Sequence, residues 1–158
     1  MSAYIAAYIV LICLSAFFSS SEMGFSSANR MRLESAAEGG NRGAKIALKV
    51  MDKFDDSLSA ILIGNNLVNI ATSSIASVVV ILIAGESWTW LSTVITTVLV
   101  IIFGETMPKI VAKKNANRIA PVFAYPVRLL TYILTPVIWI VVGLVRLITL
   151  PLKGEKTQ

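Results

Sequence analysis

Residues 57–84 read SLSAILIGNNLVNIATSSIASVVVILIA, a run without a single charged side chain. A hydrocarbon core about 30 Å thick takes roughly 20 helical residues to cross. In lipid every backbone group must be satisfied internally, which a helix achieves by itself. The run therefore reads as a transmembrane helix, yet its GNNLVN block (64–69) puts three asparagines at membrane depth.

Working outward, residues 2–25 form a second apolar stretch, uncharged from Met1 through Ser21 and broken by polarity only at Ser19, Ser20, Ser21 and Glu22. It lacks a positive amino-terminal region and exceeds the roughly 7–15 apolar residues of a signal peptide, so it reads as a retained span. A third span follows at 87–104. The fourth apolar stretch, 119–152, contains Arg128 and Arg146 and is punctuated by Pro121, Pro126, Pro136 and Pro151. An internal proline removes a helical hydrogen bond and clashes with the preceding turn. Such a segment suits the interface, where arginines snorkel to the headgroups. The expected architecture is all-α and polytopic: three transmembrane helices, a cytoplasmic helical loop at 29–56, a Pro-broken, belt-like juxtamembrane helix at 119–152 and a short tail at 153–158.

Composition agrees. Of 158 residues 56% are hydrophobic and only 15% charged, against about 25% in soluble domains; mean hydropathy is +0.76. The net charge of +5 gathers beside the apolar runs, which points to membrane orientation and anionic headgroups rather than nucleic acid. The 30–56 loop carries Arg30, Arg32, Arg42, Lys45, Lys49 and Lys53, and the 105–128 segment carries Lys109, Lys113, Lys114, Arg118 and Arg128. The segment before Glu22 and the Gly85–Glu86–Ser87 turn have no basic side chain. The positive-inside rule places the amino terminus outside a plasma or inner membrane and the basic loops in the cytoplasm. Lys153 and Lys156 then also lie inside if the fourth stretch does not cross. In the 29–56 loop, Leu33, Ala36 and Ala37, then Ile46, Leu48 and Val50, suggest two short amphipathic helices around Gly39–Gly40.

Polar groups inside a membrane are costly and mark sites more often than in soluble proteins. Ser15, Ser19 and Glu22, spaced four and three apart, share a helix face; Ser20 and Ser21 could unwind the helix by competing for its backbone. Plain helix packing by serines is the bland alternative. In the second span, Gly64 permits close approach or a break, Asn66 and Asn69 share a face, and Thr72, Ser73, Ser74 and Ser77 extend the polar stripe. Interhelical amide bonding is the alternative there. In the third, GETMPK (104–109) sets Glu105 before Pro108, whose missing N–H frees carbonyl ligands; a helix stop with a Glu105–Lys109 pair is the alternative. Thr93, Thr96 and Thr97 could line a path above it.

Hydroxyl, amide, backbone and carboxylate oxygens suit a hard cation such as Mg²⁺, Ca²⁺ or Na⁺. The chain has no histidine and one cysteine, Cys13. It therefore lacks the usual soft or imidazole ligands and the common general base, which argues against an enzyme.

The serine-rich first helix, the GNNLVN block and the GETMPK block, in this order, resemble the transmembrane domain of the CNNM/CorC magnesium transporter family over essentially the whole chain. The resemblance implies a homodimer with three spans and a belt-like helix per subunit. It also implies an inward-facing Mg²⁺ cavity, and efflux coupled to Na⁺. It carries over Ser15 and Ser19, then Gly64, Asn65, Asn66 and Asn69, then Glu105 and Pro108. With Ser20 and Glu22 added from the residue reading, these form the candidate metal set, Pro108 serving as helix break or gate. Family members continue into nucleotide-binding CBS domains, absent from this chain. The expected mechanism is alternating access with hinges near Ser20 and Pro108. A non-transporting Mg²⁺ sensor or scaffold and a divalent cation channel are the alternatives.

Overall fold

A computed structural model describes residues 1–154, and the backbone is helical almost throughout them. The helices are α1 (Ser2–Ser27), α2 (Arg30–Glu38), α3 (Arg42–Asp52), α4 (Phe54–Ala84), α5 (Thr89–Leu99), α6 (Met107–Lys114), α7 (Ala116–Ile133) and α8 (Thr135–Thr149). A π-helical segment, Val100–Thr106, joins α5 to α6. Four helical stretches among the described residues are long and apolar enough to cross a membrane: Ser2–Ser27, Phe54–Ala84, the continuous Glu86–Lys114 and Thr135–Leu152. Of the basic tail, residues 155–158, with Lys156, lie outside the described residues.

Helix α1 is the centre of the assembly, packing on α4, the π segment, α6 and α7. Gly85, at φ +91°, turns the chain from α4 into the third span, a left-handed conformation that costs a glycine nothing. At the other end α2 and α3 form a hairpin. Asn29 and Asn41 cap them by accepting from the Arg32 and Ala44 N–H groups, and Gly40 at φ +97° closes the turn. Arg30 clamps the hairpin by reaching Asp52 at 2.6 Å and Glu34 at 3.1 Å. The Asp52 hydrogen bond, then that of Glu34, raises the Arg30 pKa further above its already high value. The hairpin docks on α7 through an alanine face (Ala44 and Ala47 against Ala120 and Ala124, all fully buried). A Cβ on Gly43 would stand 2.6 Å from the Pro121 carbonyl oxygen, so only glycine admits this approach.

Three sequence expectations change. The serines do not unwind α1, which is continuous to Ser27. Ser21 and Ser26 donate instead to the carbonyls of Phe17 and Glu22, four residues back, at 2.8 and 2.7 Å, so they do not compete for the backbone N–H groups. Pro108 does not end the third span. It sits in the first turn of α6, where its missing N–H is tolerated, and the π segment before it absorbs the change of register. The 119–152 stretch is two helices. Pro121 and Pro126 lie inside an unbroken α7, whose Ala120, Ala124 and Val127 are fully buried, while the chain parts at Leu134, just ahead of Pro136. Packing of α7 on α3 and α1 offsets the bonds its prolines forgo.

Candidate functional site

The basic end of the bundle gathers most of the polar residues singled out in the sequence. Ser15 is fully buried, and its Oγ lies 3.1 Å from Asn65 Oδ1 and 3.0 Å from Asn69 Oδ1 on α4, with one hydrogen shared between them. On its other side is Gly104, where an added Cβ would come 2.9 Å from Ser15 Oγ. Ser15 is thus wedged between the second span and the π segment of the third. Gly64 serves a parallel purpose one turn away, since a Cβ there would stand 2.6 Å from the Phe18 ring. The two glycines named by the sequence blocks are close-approach points that draw three helices together.

Ser19 follows Ser15 by one turn on the same face. It is 1% exposed, and its Oγ is the one buried side-chain N or O atom among the described residues with no hydrogen-bond partner. Buried hydroxyls are nearly always paired, because an unpaired one costs about 1–3 kcal/mol. An orphan hydroxyl in a seam of oxygens is therefore the feature that most calls for a ligand.

The π segment adds backbone oxygen. The Met107 N–H donates to the Ile102 carbonyl, five residues back, and Pro108 has no N–H to donate. Pro108 therefore cannot serve Phe103 in the π register or Gly104 in the α register. Ser20 Oγ reaches the Pro108 carbonyl at 3.5 Å, a marginal bond. Glu105 is half-buried and takes part in none of the ion pairs found among the described residues. Lys109, the residue set against Glu105 in the sequence reading, is 3.8 Å from Glu22 instead. That contact neutralises part of the Glu22 charge and ties the end of α1 to α6.

Asn66 is placed differently from its neighbours. Asn65 and Asn69, four apart, turn toward Ser15, whereas Asn66 is exposed beside Leu67 and Ile70. The expectation that Asn66 and Asn69 share one face gives way to Asn65 with Asn69. Most of the remaining hydroxyls are satisfied locally. Thr72, Ser74, Ser77, Thr93 and Thr97 each donate to the carbonyl four residues earlier, and Tyr8 donates to Thr96 at 3.2 Å. The described residues hold no cluster of three His, Cys, Asp or Glu side chains, so any ion would be held by neutral oxygens around one or two carboxylates. No sequence signal announces the π segment or the Glu22–Lys109 contact; both arise from how the third span packs on α1.

A helical membrane protein with an oxygen-lined seam between its first three long helices is the class that fold and site define. The family described as cyclin M transmembrane N-terminal domain matches residues 6–158, and the chain belongs to it. It is 40% identical over 134 residues to a UPF0053 protein of Haemophilus influenzae, covering 84% of this chain and 32% of that protein. It is 34% identical over 145 residues to the UPF0053 inner membrane protein YfjD of Escherichia coli, covering 92% and 34%. A chloroplastic DUF21 domain-containing protein of Arabidopsis thaliana is 33% identical over 128 residues, covering 81% and 19%. The chain spans about a third of the length of the two bacterial relatives.

Proposed function

We propose that this domain moves Mg²⁺ across the membrane, exporting it by alternating access with Na⁺ as the coupling ion. The observation that carries the reading is the unpaired, buried Ser19 hydroxyl, one turn along α1 from Ser15 and its partners Asn65 and Asn69. Mg²⁺ asks for six oxygens in near-octahedral geometry at about 2.0–2.1 Å and gives up water reluctantly. Neutral hydroxyl, amide and carbonyl oxygens supply that shell without trapping the ion, and Glu105, with Glu22 at the mouth, lowers the cost of bringing a divalent charge toward low dielectric. With no hinge at Ser20, rearrangement falls to the π segment, a register that an α-helix can absorb or release.

In this proposal the fourth apolar stretch is a belt and not a span. By length and composition Thr135–Leu152 could cross; what favours the belt is the basic side chains of this stretch and the break at Leu134, which parts it into α7 and α8. Arg128 and Arg146 on α7 and α8 suit the same level. Three spans put the amino terminus outside and the basic segments in the cytoplasm of the cell membrane. The exposed Asn66, flanked by Leu67 at 67% and Ile70 at 66% exposure, supports a homodimer, because an amide at membrane depth needs a polar partner and a second copy offers its own. Cytosolic CBS-type domains would regulate the longer protein, and no catalysis is involved.

The test is Mg²⁺ flux into or out of liposomes holding the purified protein. Glu105→Ala and Asn69→Ala should lose flux and binding together, and Glu22→Gln should weaken both less, since Lys109 already compensates that carboxylate. Normal flux in both alanine variants removes the site assignment. Saturable Mg²⁺ binding with no flux in the unaltered protein favours a sensor or scaffold. Non-saturating flux that ignores Na⁺ favours a channel.

A further inference from the structure

Away from the oxygen seam, α3, the start of α4, α7 and α8 meet around a cavity of about 480 Å³. Three cations line it: Lys49 and Lys53 from the hairpin and Arg128 from α7. None of the three takes part in an ion pair among the described residues. Of the two carboxylates in the wall, Asp52 is held by Arg30 at 2.6 Å, which leaves Asp56 as the only one not engaged by a described cation. Unpaired positive charge therefore exceeds negative charge across one concave surface.

The level of the cavity says what would enter it. It lies where α4 leaves its charged first turn, Asp55 and Asp56, and begins its uncharged run, which is where a span passes from headgroups into hydrocarbon. Tyr132 and Trp139 flank it, 81% and 74% exposed, and these are the amphipathic aromatics that settle at the headgroup layer. Next to it the open face of α8 presents Ile140 and Leu144, apolar surface for an acyl chain. We propose that this cavity binds the phosphodiester headgroup of an anionic phospholipid, with Lys49, Lys53 and Arg128 around the phosphate and the tails laid along α8. The adjoining apolar face selects a lipid over free phosphate. A lipid seated there bridges the hairpin, the second span and the two helices of the fourth apolar stretch. The assignment is independent of the ion seam and of whether the domain transports anything.

Trp139 reports occupancy once Trp88 and Trp90 are replaced by Phe, because the chain has three tryptophans. The protein is reconstituted in nanodiscs of increasing content of dibrominated phosphatidylglycerol, or of phosphatidylcholine with the same brominated chains. Quenching of Trp139 should reach half its limit at an at least about five-fold lower mole fraction of phosphatidylglycerol, as expected for more than one cation at the headgroup. Lys49→Gln with Lys53→Gln and Arg128→Gln should abolish that preference while leaving quenching by phosphatidylcholine unchanged, which shows the helices still in place. Lys49→Arg with Lys53→Arg should retain it. Equal quenching by the two lipids, or a preference that survives the glutamine substitutions, overturns the proposal. Competition by millimolar inorganic phosphate overturns the choice of a lipid.

Discussion

The two ends of the helical bundle use polar side chains in opposite ways. Toward the Gly85 turn, Ser74, Ser77, Thr93 and Thr97 fold their hydroxyls back onto their own helices, and the long-range bond there runs from Tyr8 to Thr96. Between those helices lies a small apolar cleft of about 180 Å³, walled by Ile5, Val79, Ile95 and neighbours. Toward the basic end, Ser15 reaches across to α4, Ser19 is left unpaired, two glycines hold the backbones close and the third span slips into a π register. The helices are the same and so are the residue types. A hydroxyl that closes on the carbonyl four residues back is silent in lipid; one turned between helices must find a partner or a ligand. The difference is why the proposed site is set at one end.

The largest expected effect comes from spoiling the close approach on which that end depends. In Gly64→Val the new side chain would drive into the Phe18 ring, whose nearest carbon stands 2.6 Å from the Cβ position. Overpacking of this kind costs about 1–3 kcal/mol, so the melting temperature in detergent should fall by about 2–12 °C, with Mg²⁺ flux lost. Gly143 on α8 has nothing within 4 Å of its Cβ position. Gly143→Ala should hold the melting temperature or raise it, as a glycine inside a helix forgoes about 0.5–1 kcal/mol. Equal losses at the two positions would mean that the bundle end is no tighter than α8.

Ser15→Ala should come next. It removes the hydroxyl hydrogen shared by the amide oxygens of Asn65 and Asn69, leaving both without that donor, at a cost of about 1–2 kcal/mol. Ser19→Ala should act with the opposite sign. Deleting an orphan buried hydroxyl relieves about 1 kcal/mol, so the metal-free protein should melt about 2–4 °C higher, while the gain in melting temperature from added Mg²⁺ disappears. A Ser19→Ala protein that melts lower without metal would show that the hydroxyl is satisfied and that the seam is a packing feature.

Much of this was readable in the chain, and the failures share a cause. The uncharged runs at 2–21 and 57–84 announce their helices because lipid allows a backbone few other forms. Two glycines of these blocks, Gly64 and Gly104, stand against the first helix, at Phe18 and Ser15. What the sequence could not show is how proline and asparagine respond to neighbours. Pro126 looks like a breaker, yet α7, packed on α3 and α1, runs through it unbroken. Pro108 looks like a stop, yet a π turn accommodates it. Asn66 and Asn69 are both plausible partners for one face by spacing alone; the rotation of α4 against α1 chose Asn65 and Asn69 instead. Each outcome is fixed by packing between helices far apart in the chain, to which local periodicity is blind.

Tyr8→Phe, the smallest expected effect, bears on the quiet end. The Tyr8 hydroxyl lies 3.2 Å from Thr96 Oγ1 across 88 positions of sequence, a neutral bond of modest length. Its removal leaves the ring in place beside the apolar cleft, and Thr96, being a helical threonine, can turn its hydroxyl onto its own helix as Thr93 and Thr97 do. Interhelical hydrogen bonds in membrane proteins average about 0.6 kcal/mol, so the melting temperature should fall by no more than about 2 °C. Mg²⁺ flux and the Mg²⁺-dependent rise in melting temperature should match those of the unaltered protein, because nothing at this end contributes an oxygen to the seam. A Tyr8→Phe protein that loses the Mg²⁺ response would tie the two ends together and make the Tyr8–Thr96 bond part of the moving assembly, with the ion's path running the full length of α1.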